Sequence, residues 1–207
     1  MEYIEKLESS KIMYELTKRT FDLIVSFILI IIIMPLLLCI SILILLKDGR
    51  PILFKQDRLS RGAKVFSIYK FRTMKVHSRD MKNSDGSYFN SSNDPRLTKT
   101  GKFLRLTSFD ELPQLFNVFF GQMSLVGPRP DPTGAIKLYR EKDFMRLQVS
   151  QGITGWAQVN GRNSISWEER RDLDIEYVKI RNFRMDILIL FKTLFQLFKT
   201  NVVNHEE

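Results

Sequence analysis

The feature that most constrains this chain is an uncharged, strongly apolar segment from Leu23 to Leu46. As a straight α-helix this segment would be ~36 Å long, which is enough to cross a hydrocarbon layer of about 30 Å. A single transmembrane helix is therefore the first expectation. A cleaved signal peptide is not expected, because the segment is long and lacks a small-residue cleavage site.

Two features disturb the simple spanning helix. Pro35 lies near the middle of the segment, where it removes a backbone donor and predicts a kink. Basic residues flank the segment on both sides, with Lys18 and Arg19 before it and Lys47 and Arg50 after it. A spanning helix satisfies the positive-inside rule at one end, whereas a helix that breaks at Pro35 and returns to the same face satisfies it at both ends. These residues alone leave both topologies open, since kinked spanning helices are common.

The composition limits the class of protein and of partner. With 207 residues and 44% hydrophobic residues, the chain has room for about one domain with a real core and an appendage. The net charge of the chain is +9, and residues 47–207 carry +10, because the charges of residues 1–46 sum to −1. This excess indicates an anionic partner such as a lipid headgroup, a nucleotide or a nucleic acid, and the membrane segment argues against nucleic acid. The single cysteine, Cys39, excludes a disulfide framework and fits a reducing compartment.

The remaining sequence predicts a helix-dominated α+β fold with a small β element. We expect three parts: an N-terminal amphipathic segment at 1–20, a membrane helix at 21–46 and a cytoplasmic catalytic domain at 47–207. Residues 51–74 read as two short strands around a turn at 60–62, and residues 75–100 as a polar loop. Helices are expected at 111–120, 134–149, 167–181 and 185–198, with an irregular glycine-bearing stretch at 152–163. The last helix is basic and amphipathic, which suits the membrane interface.

A pair of adjacent carboxylates, Asp110 and Glu111, stands out in this basic chain. Arg105 precedes the pair, and Arg129 follows it between two prolines that fix the backbone. Acids framed by arginines suit chemistry on a phosphate ester, because a carboxylate can bind a metal or attack and guanidiniums bind phosphate oxygens. The alternative is helix capping, since Ser108 and Glu111 fit a capping box and Asp110 could itself be an N-cap.

Further basic residues extend the candidate phosphate site. On the second predicted strand, Lys70 and Arg72 share a face with Phe66 and Ile68 by the period of two. They either line a cleft beside the core or are solvated charges. Arg162 follows a glycine, where the backbone and the guanidinium could meet a phosphate together. The sequence has no Walker A loop, no G-x-G-x-x-G motif after a strand, and no Cys or His metal spacing.

Together these segments resemble the bacterial sugar transferases, the small monotopic phosphoglycosyl transferases of glycan assembly. The resemblance runs from Phe21 to about Phe198, without the additional N-terminal membrane domain of larger relatives. One departure is Met34 before Pro35, where many members have serine. The matching segments are the apolar run with its central proline, KFRTM at 70–74, NDPRLTKTGKFLR at 93–105, SFDELPQLFNV at 108–118, MSLVGPRP at 123–130 and GITGWAQVNGRN at 152–163.

The resemblance implies transfer of a sugar phosphate from a UDP-sugar to undecaprenyl phosphate, with release of UMP. This would be the first membrane step in assembly of a capsule, O-antigen, exopolysaccharide or glycoprotein glycan, and downstream glycosyltransferases are possible partners. It also implies a re-entrant helix-break-helix in the bilayer and a catalytic domain on the cytoplasmic face of the bacterial inner membrane.

The resemblance also assigns roles to individual residues. Asp110 matches the nucleophile, which forms a covalent phosphosugar intermediate and contributes to Mg²⁺ binding, and Glu111 matches its dyad partner. The basic residues that match positions around the substrate phosphates are Lys70, Arg105, Arg129 and Arg162. From the residues alone, Arg72 is a further candidate ligand for the substrate. The competing hypothesis is a non-catalytic, membrane-anchored basic protein that binds anionic lipid or a polysaccharide-synthesis partner.

Overall fold

A computed structural model describes residues 2–78, 94–161 and 165–203, with side chains described for 11–78, 94–161 and 165–196. Short 3₁₀ helices cover Arg61–Ala63, Phe109–Glu111, Thr133–Leu138 and Glu141–Gln148. The expected helix-dominated fold with a small β component is confirmed. The helices and strands are α1 (Glu2–Lys47), β1 (Leu53–Leu59), β2 (Val65–Phe71), α2 (Lys99–Leu106), α3 (Gln114–Phe119), β3 (Ser124–Val126), β4 (Gly152–Thr154), α4 (Trp156–Asn160), α5 (Trp167–Ile180) and α6 (Phe183–Val203).

The apolar segment belongs to one long helix, α1, which also includes the residues expected to form a separate amphipathic segment. Pro35 lies inside this helix, and the helix bounds are not interrupted there. Among the residues that the structure describes, α1 is the one helix long and apolar enough to cross a membrane, and its most apolar window is 22% buried. So little burial distinguishes it from the core helix of a soluble protein. The return of the helix to the same membrane face stays a prediction.

The chain divides into two compact units, which are described separately. The first unit contains residues 1–31, 56–68 and 115–207, and the second contains residues 32–55 and 69–114. Fully or almost fully buried apolar side chains mark the interior of each unit. In the first unit they include Val118, Met123 and Ile189, and in the second they include Ile44 and Leu104.

In the first unit, a buried ion pair attaches the N-terminal half of α1 to α6. Lys18 Nζ lies 2.8 Å from Asp186 Oδ2, and both side chains are almost completely buried. Two hydroxyls also donate to the Asp186 carboxylate, from Tyr14 at 2.8 Å and from Tyr177 at 2.7 Å. Three donors therefore satisfy a carboxylate that would be costly to bury alone.

The next charged residues of α1 are also bound within the first unit. Arg19 donates to the carbonyls of Val118 at 2.7 Å and Phe119 at 2.8 Å. Asp22 Oδ1 accepts the backbone N–H of Leu125 at 3.1 Å. The basic residues before the apolar segment, Lys18 and Arg19, therefore bind groups of the protein. These contacts explain their presence without the positive-inside rule.

The second sheet, which has no signal in the sequence, is a parallel pair of three-residue strands, β3 and β4. Ser124 pairs with Gly152 and Val126 pairs with Thr154. The pair requires glycine, because a Cβ on Gly152 would lie 2.1 Å from the backbone nitrogen of Gly127. The turn after β3 and the start of β4 are therefore in direct backbone contact.

The other expected elements are partly confirmed. The two strands around the turn at 60–62 are present as β1 and β2, and the last two helices are present as α5 and α6. The helix expected at 111–120 begins only at Gln114, and the helix expected at 134–149 is instead two 3₁₀ helices. The expected loop at 75–100 ends at α2, and its residues 79–93 lie outside the described residues. The glycine-bearing stretch contains β4 and α4.

Candidate active site

The carboxylate pair lies in a short 3₁₀ helix, Phe109–Glu111, between α2 and α3. Ser108 precedes it in the left-handed region, with φ 59° and ψ 17°, which turns the chain sharply after α2. Asp110 is 8% exposed, whereas Glu111 is half-buried. The two neighbouring acids therefore have unequal access to solvent.

The capping interpretation of this pair is wrong. The Ser108 side chain makes no capping hydrogen bond, so the box with Glu111 does not form. Asp110 is not an N-cap either, because α3 starts four residues later, at Gln114. The left-handed conformation of Ser108 explains the difference, since an N-cap residue normally has extended backbone angles.

Glu111 is held by Lys70 on the neighbouring strand β2. Lys70 Nζ donates to Glu111 Oε1 at 2.7 Å, and their side chains are 17% and 22% exposed. The shared strand face explains this position, because Phe66 and Ile68 are buried and direct the same face of β2 inward. The structure therefore brings together two of the residues that the sequence singled out. The contact is a charge-assisted hydrogen bond, which fixes the orientation of the glutamate.

Arg72, two residues further along the chain, has a structural partner. Its Nη2 donates to the carbonyls of Asp48 and Gly49, each at 2.7 Å, and the residue is buried. These carbonyls follow the last turn of α1, where helix carbonyls have no partner within the helix. Arg72 therefore attaches the end of α1 to the segment after β2 within the second unit, and we do not assign it to the substrate phosphates.

Arg105 lies near the end of α2 and contacts the segment that follows β2. Its Nε donates to Thr73 Oγ1 at 3.1 Å. The first turn of α2 approaches the same segment closely, because a Cβ on Gly101 would lie 1.9 Å from the Thr73 carbonyl oxygen. Thr98 caps α2 by accepting the N–H of Gly101 at 2.8 Å, and its hydroxyl donates to Asp48 Oδ2 at 3.0 Å. The positions of Lys70 and Arg105 are thus fixed by contacts within the second unit.

Sequence reasoning missed these supporting residues, although a signal for some of them existed. Thr98 follows a polar stretch and is one of the residue types preferred at an N-cap. Asp94 and Arg96 form a second local support, with Arg96 Nη2 2.6 Å from Asp94 Oδ2. The hydrogen bonds from Arg96 hold the pKa of the Asp94 carboxyl below its ordinary value. Asp94 therefore stays ionised at neutral pH.

Arg129 lies in the first unit, in a loop whose backbone is bound at four consecutive carbonyls. Pro128 accepts the N–H of Gly152 at 2.8 Å, and Asp131 accepts the N–H of Leu59 at 2.9 Å. Between them, arginine side chains donate to the carbonyls of Arg129 at 3.2 Å and Pro130 at 3.1 Å. The expected rigid backbone around Arg129 is therefore present, and hydrogen bonds add to the effect of the two prolines. The remaining predicted basic residue, Arg162, lies outside the described residues.

Known proteins are similar in sequence to this chain over most of its length. The family described as "Bacterial sugar transferase" matches residues 13–200. The chain is 46% identical over 184 residues to the uncharacterized sugar transferase EpsL of Bacillus subtilis (strain 168), covering 86% of this chain and 85% of that protein.

Two further relatives have names that state a reaction. The UDP-glucose:undecaprenyl-phosphate glucose-1-phosphate transferase of Escherichia coli (strain K12) is 39% identical over 191 residues, covering 88% of this chain and 40% of that protein. The undecaprenyl-phosphate galactose phosphotransferase of Salmonella typhimurium is 40% identical over 187 residues, with coverages of 85% and 39%. The chain therefore spans about two fifths of the length of these two relatives.

Proposed function

The chain belongs to the bacterial sugar transferase family, and on this premise we propose that it transfers a sugar phosphate from a UDP-sugar to undecaprenyl phosphate with release of UMP. The observation that carries the proposal is a buried aspartate, Asp110, beside a glutamate that Lys70 holds at 2.7 Å. The names of the Escherichia coli and Salmonella relatives support the same substrate classes. The match along nearly the whole chain supports a transferase enzyme rather than a non-catalytic binding protein.

The proposed reaction has two displacement steps at one phosphorus atom. In the first, a carboxylate oxygen of Asp110 attacks the phosphorus that carries the sugar, and the bond from that phosphorus to the bridging oxygen breaks. The bridging oxygen leaves with UMP, and the sugar phosphate remains as an acyl phosphate on Asp110. In the second step, a phosphate oxygen of undecaprenyl phosphate attacks the same phosphorus, and the Asp110 carboxylate leaves.

Neither step requires a proton transfer when the lipid phosphate is fully ionised. The attacking groups are both anions, and each displacement releases another anion. A general base is therefore unnecessary. We assign Glu111 an orienting role instead: its carboxylate holds the Lys70 ammonium in a fixed position beside Asp110. The ammonium then adds positive potential where the donor diphosphate would lie.

Limited exposure of Asp110 suits nucleophilic attack. A carboxylate shielded from water loses part of its hydration shell, and less solvent must be displaced when it reaches phosphorus. The left-handed turn at Ser108 places Asp110 immediately after α2, which is itself fixed at the Gly101–Thr73 contact. The backbone that presents the carboxylate is therefore held before substrate binds.

The residues present fit a magnesium ion that binds together with the donor. Within the described residues, no cluster of three or more His, Cys, Asp or Glu residues could form a complete metal cage. Mg²⁺ usually binds one or two carboxylates together with substrate phosphates and water, and the Asp110–Glu111 pair can supply those carboxylates. When bound, the ion would neutralise charge on the diphosphate, and Asp110 is the proposed ligand.

The remaining basic residues are proposed to bind the substrate phosphates. Arg105, Arg129 and Arg162 would spread the negative charge of the diphosphate over planar guanidinium groups. The held backbone around Arg129 supports its role, because a preorganised cation loses little freedom on binding. Lys70, on β2, is the fourth basic residue that we propose as a ligand of the substrate phosphates. The sugar itself would be selected by contacts outside this phosphate region.

We also propose that α1 is re-entrant and that the catalytic residues lie on the cytoplasmic face of a bacterial inner membrane. Near the N-terminal end of α1, Lys18 binds Asp186 and Arg19 binds the carbonyl of Val118. After the C-terminal end of α1, the carbonyl of Asp48 accepts a hydrogen bond from Arg72. No second helix among the described residues after α1 can cross a membrane. In the proposed topology both ends of α1 reach the same membrane face, and a bend at Pro35 would allow this.

Site-directed labelling tests the topology. In a Cys39→Ser background, Lys11→Cys and Lys64→Cys place single thiols at exposed positions before and after the apolar segment. A membrane-impermeant maleimide should label neither thiol in intact cells and both thiols after permeabilisation. Labelling of Lys11→Cys alone from the outside would establish a spanning helix instead.

A donor screen tests the reaction. Purified protein in nanodiscs with undecaprenyl phosphate and Mg²⁺ is incubated with a panel of UDP-sugars, and UMP release is measured. We expect release with at least one donor and loss of about four orders of magnitude in Asp110→Asn. Asp143→Asn is the matched control, since Asp143 is also a buried carboxylate. Full activity of Asp110→Asn, or equal loss in both variants at equal thermal stability, would contradict the proposed nucleophile.

A further inference from the structure

The loop that carries Arg129 is bound to a buried arginine that the proposed mechanism does not use. Arg146 is 2% exposed. Its Nη2 donates to the Arg129 carbonyl at 3.2 Å, and its Nη1 forms an ion pair with the Asp131 carboxylate. One guanidinium therefore binds the loop at the backbone of Arg129 and again two residues later.

Arg146 is itself fixed from the opposite side. Asp174 on α5 accepts from its Nε at 3.0 Å, and its Nη2 lies 2.8 Å from the same carboxylate oxygen. Asp174 is buried, and this burial raises its pKa to about 6, so it is ionised at neutral pH. Tyr139 completes the cluster by donating its hydroxyl to Asp131 at 2.8 Å. Two carboxylates thus share one arginine in a solvent-poor site, where such bonds are strong and directional.

We propose that Arg146 is a positioning residue that holds the Arg129 loop in the conformation that binds the substrate phosphate. This inference rests on the proposed function, in which the Arg129 guanidinium contacts that phosphate. Arg146 has no direct role in the reaction. Its effect passes through the Arg129 carbonyl and the Asp131 carboxylate, so losing it should matter only while Arg129 is present.

The chain offers a matched control in Arg171. This arginine is also buried, forms an ion pair of 2.6 Å with the buried Asp143 and donates to the Leu138 carbonyl at 3.1 Å. Both of these partners lie outside the loop at 128–131. Arg171→Lys therefore removes a buried guanidinium, as Arg146→Lys does, but leaves the contacts of Arg146 with the Arg129 loop in place.

A double-mutant cycle tests the inference through activity. UMP release is measured against UDP-sugar concentration for wild type, Arg146→Lys, Arg129→Ala and the double variant. We expect Arg146→Lys to lower kcat/KM about tenfold, and the double variant to match Arg129→Ala within about twofold. Arg171→Lys should change kcat/KM by no more than about twofold. Multiplicative effects of Arg146→Lys and Arg129→Ala, or an equal loss in Arg171→Lys, would overturn the positioning role.

Hydrogen exchange provides a readout that does not depend on a known donor sugar. We expect faster exchange in peptides that cover residues 126–132 in Arg146→Lys, and wild-type exchange there in Arg171→Lys. Unchanged exchange in Arg146→Lys would overturn the inference even if the enzyme is active. Conversely, absence of UMP release from wild type with every donor would count against the proposed function, while the exchange experiment would still decide whether Arg146 holds the loop.

Discussion

Replacing Lys18 by methionine should destabilise the first unit more than any change to an exposed ion pair of α1. In wild type, Lys18 Nζ lies 2.8 Å from Asp186 Oδ2, with side chains 9% and 4% exposed. Methionine is unbranched and only one atom shorter than lysine, so it keeps most of the packing volume and removes the charge. Asp186 would then be a buried anion whose remaining side-chain donors are the hydroxyls of Tyr14 and Tyr177.

The size of the effect follows from these contacts. Removing one partner of a buried ion pair lowers the free energy of unfolding by about 3–5 kcal/mol. Because the two tyrosine hydroxyls still donate to Asp186, we expect a loss at the lower end of this range, about 3 kcal/mol. In a chain of this length each kcal/mol lowers the melting temperature by roughly 2–4 °C, so a decrease of about 6–12 °C is expected. Arg61 also pairs with α1, through Glu15 at 3.3 Å, but its side chain is 54% exposed. Arg61→Gln should therefore cost no more than about 1 kcal/mol.

Tryptophan fluorescence during thermal unfolding is the suitable assay. Both tryptophans of the chain, Trp156 and Trp167, belong to the first unit, as does the ion pair. Measurements in detergent at one scan rate give comparable apparent midpoints. A decrease for Lys18→Met no larger than that for Arg61→Gln would refute the assignment of a buried, stabilising contact between α1 and α6.

Four further substitutions test other parts of the structure. Gly152→Ala should lower the melting temperature by an amount equivalent to about 3 kcal/mol, because its Cβ would meet backbone at 2.1 Å; a midpoint like that of wild type would contradict the close contact of β3 and β4. Glu111→Gln and Lys70→Met should each slow UMP release by up to about 100-fold, and their combination should add little, whereas independent roles would give multiplied losses. Asp94→Asn should lower the melting temperature at pH 7, and this difference should shrink as the pH falls below 3.8, the ordinary pKa of the group. The sign follows because a lowered pKa in the folded state stabilises the fold only while the carboxyl is ionised; a difference that keeps its full size as the pH falls below 3.8 would exclude this cause.

The sequence predicted those elements whose signal is local and periodic. The strands β1 and β2 alternate around a glycine turn, and α5 and α6 carry long helical patterns. Ser166 caps α5 with Glu169 in the capping box that such sequences predict. The face of β2 was also predictable, but this pattern left open whether Lys70 lines a cleft or is solvated, and it was the resemblance that implied its place beside the substrate phosphates.

Elements that depend on distant partners could not be predicted. The strands β3 and β4 have three residues each, too few to show a period, and each forms only against the other. Lys18 was interpreted as a topological charge because its partner, Asp186, lies 168 residues away in the sequence. The S-x-x-E pattern at Ser108 predicted a cap, but the left-handed backbone there prevents it. Nothing in the local sequence shows that Arg72 would bind the carbonyls after α1.

The most direct test of the central claim is the mass of the enzyme after reaction with donor alone. Protein incubated with Mg²⁺ and a competent UDP-sugar, without undecaprenyl phosphate, should gain the mass of one sugar phosphate. Peptide mapping should locate the addition on Asp110, and subsequent addition of undecaprenyl phosphate should remove it. A donor that supports UMP release without any mass increase, or an adduct that persists in Asp110→Asn, would contradict the covalent mechanism.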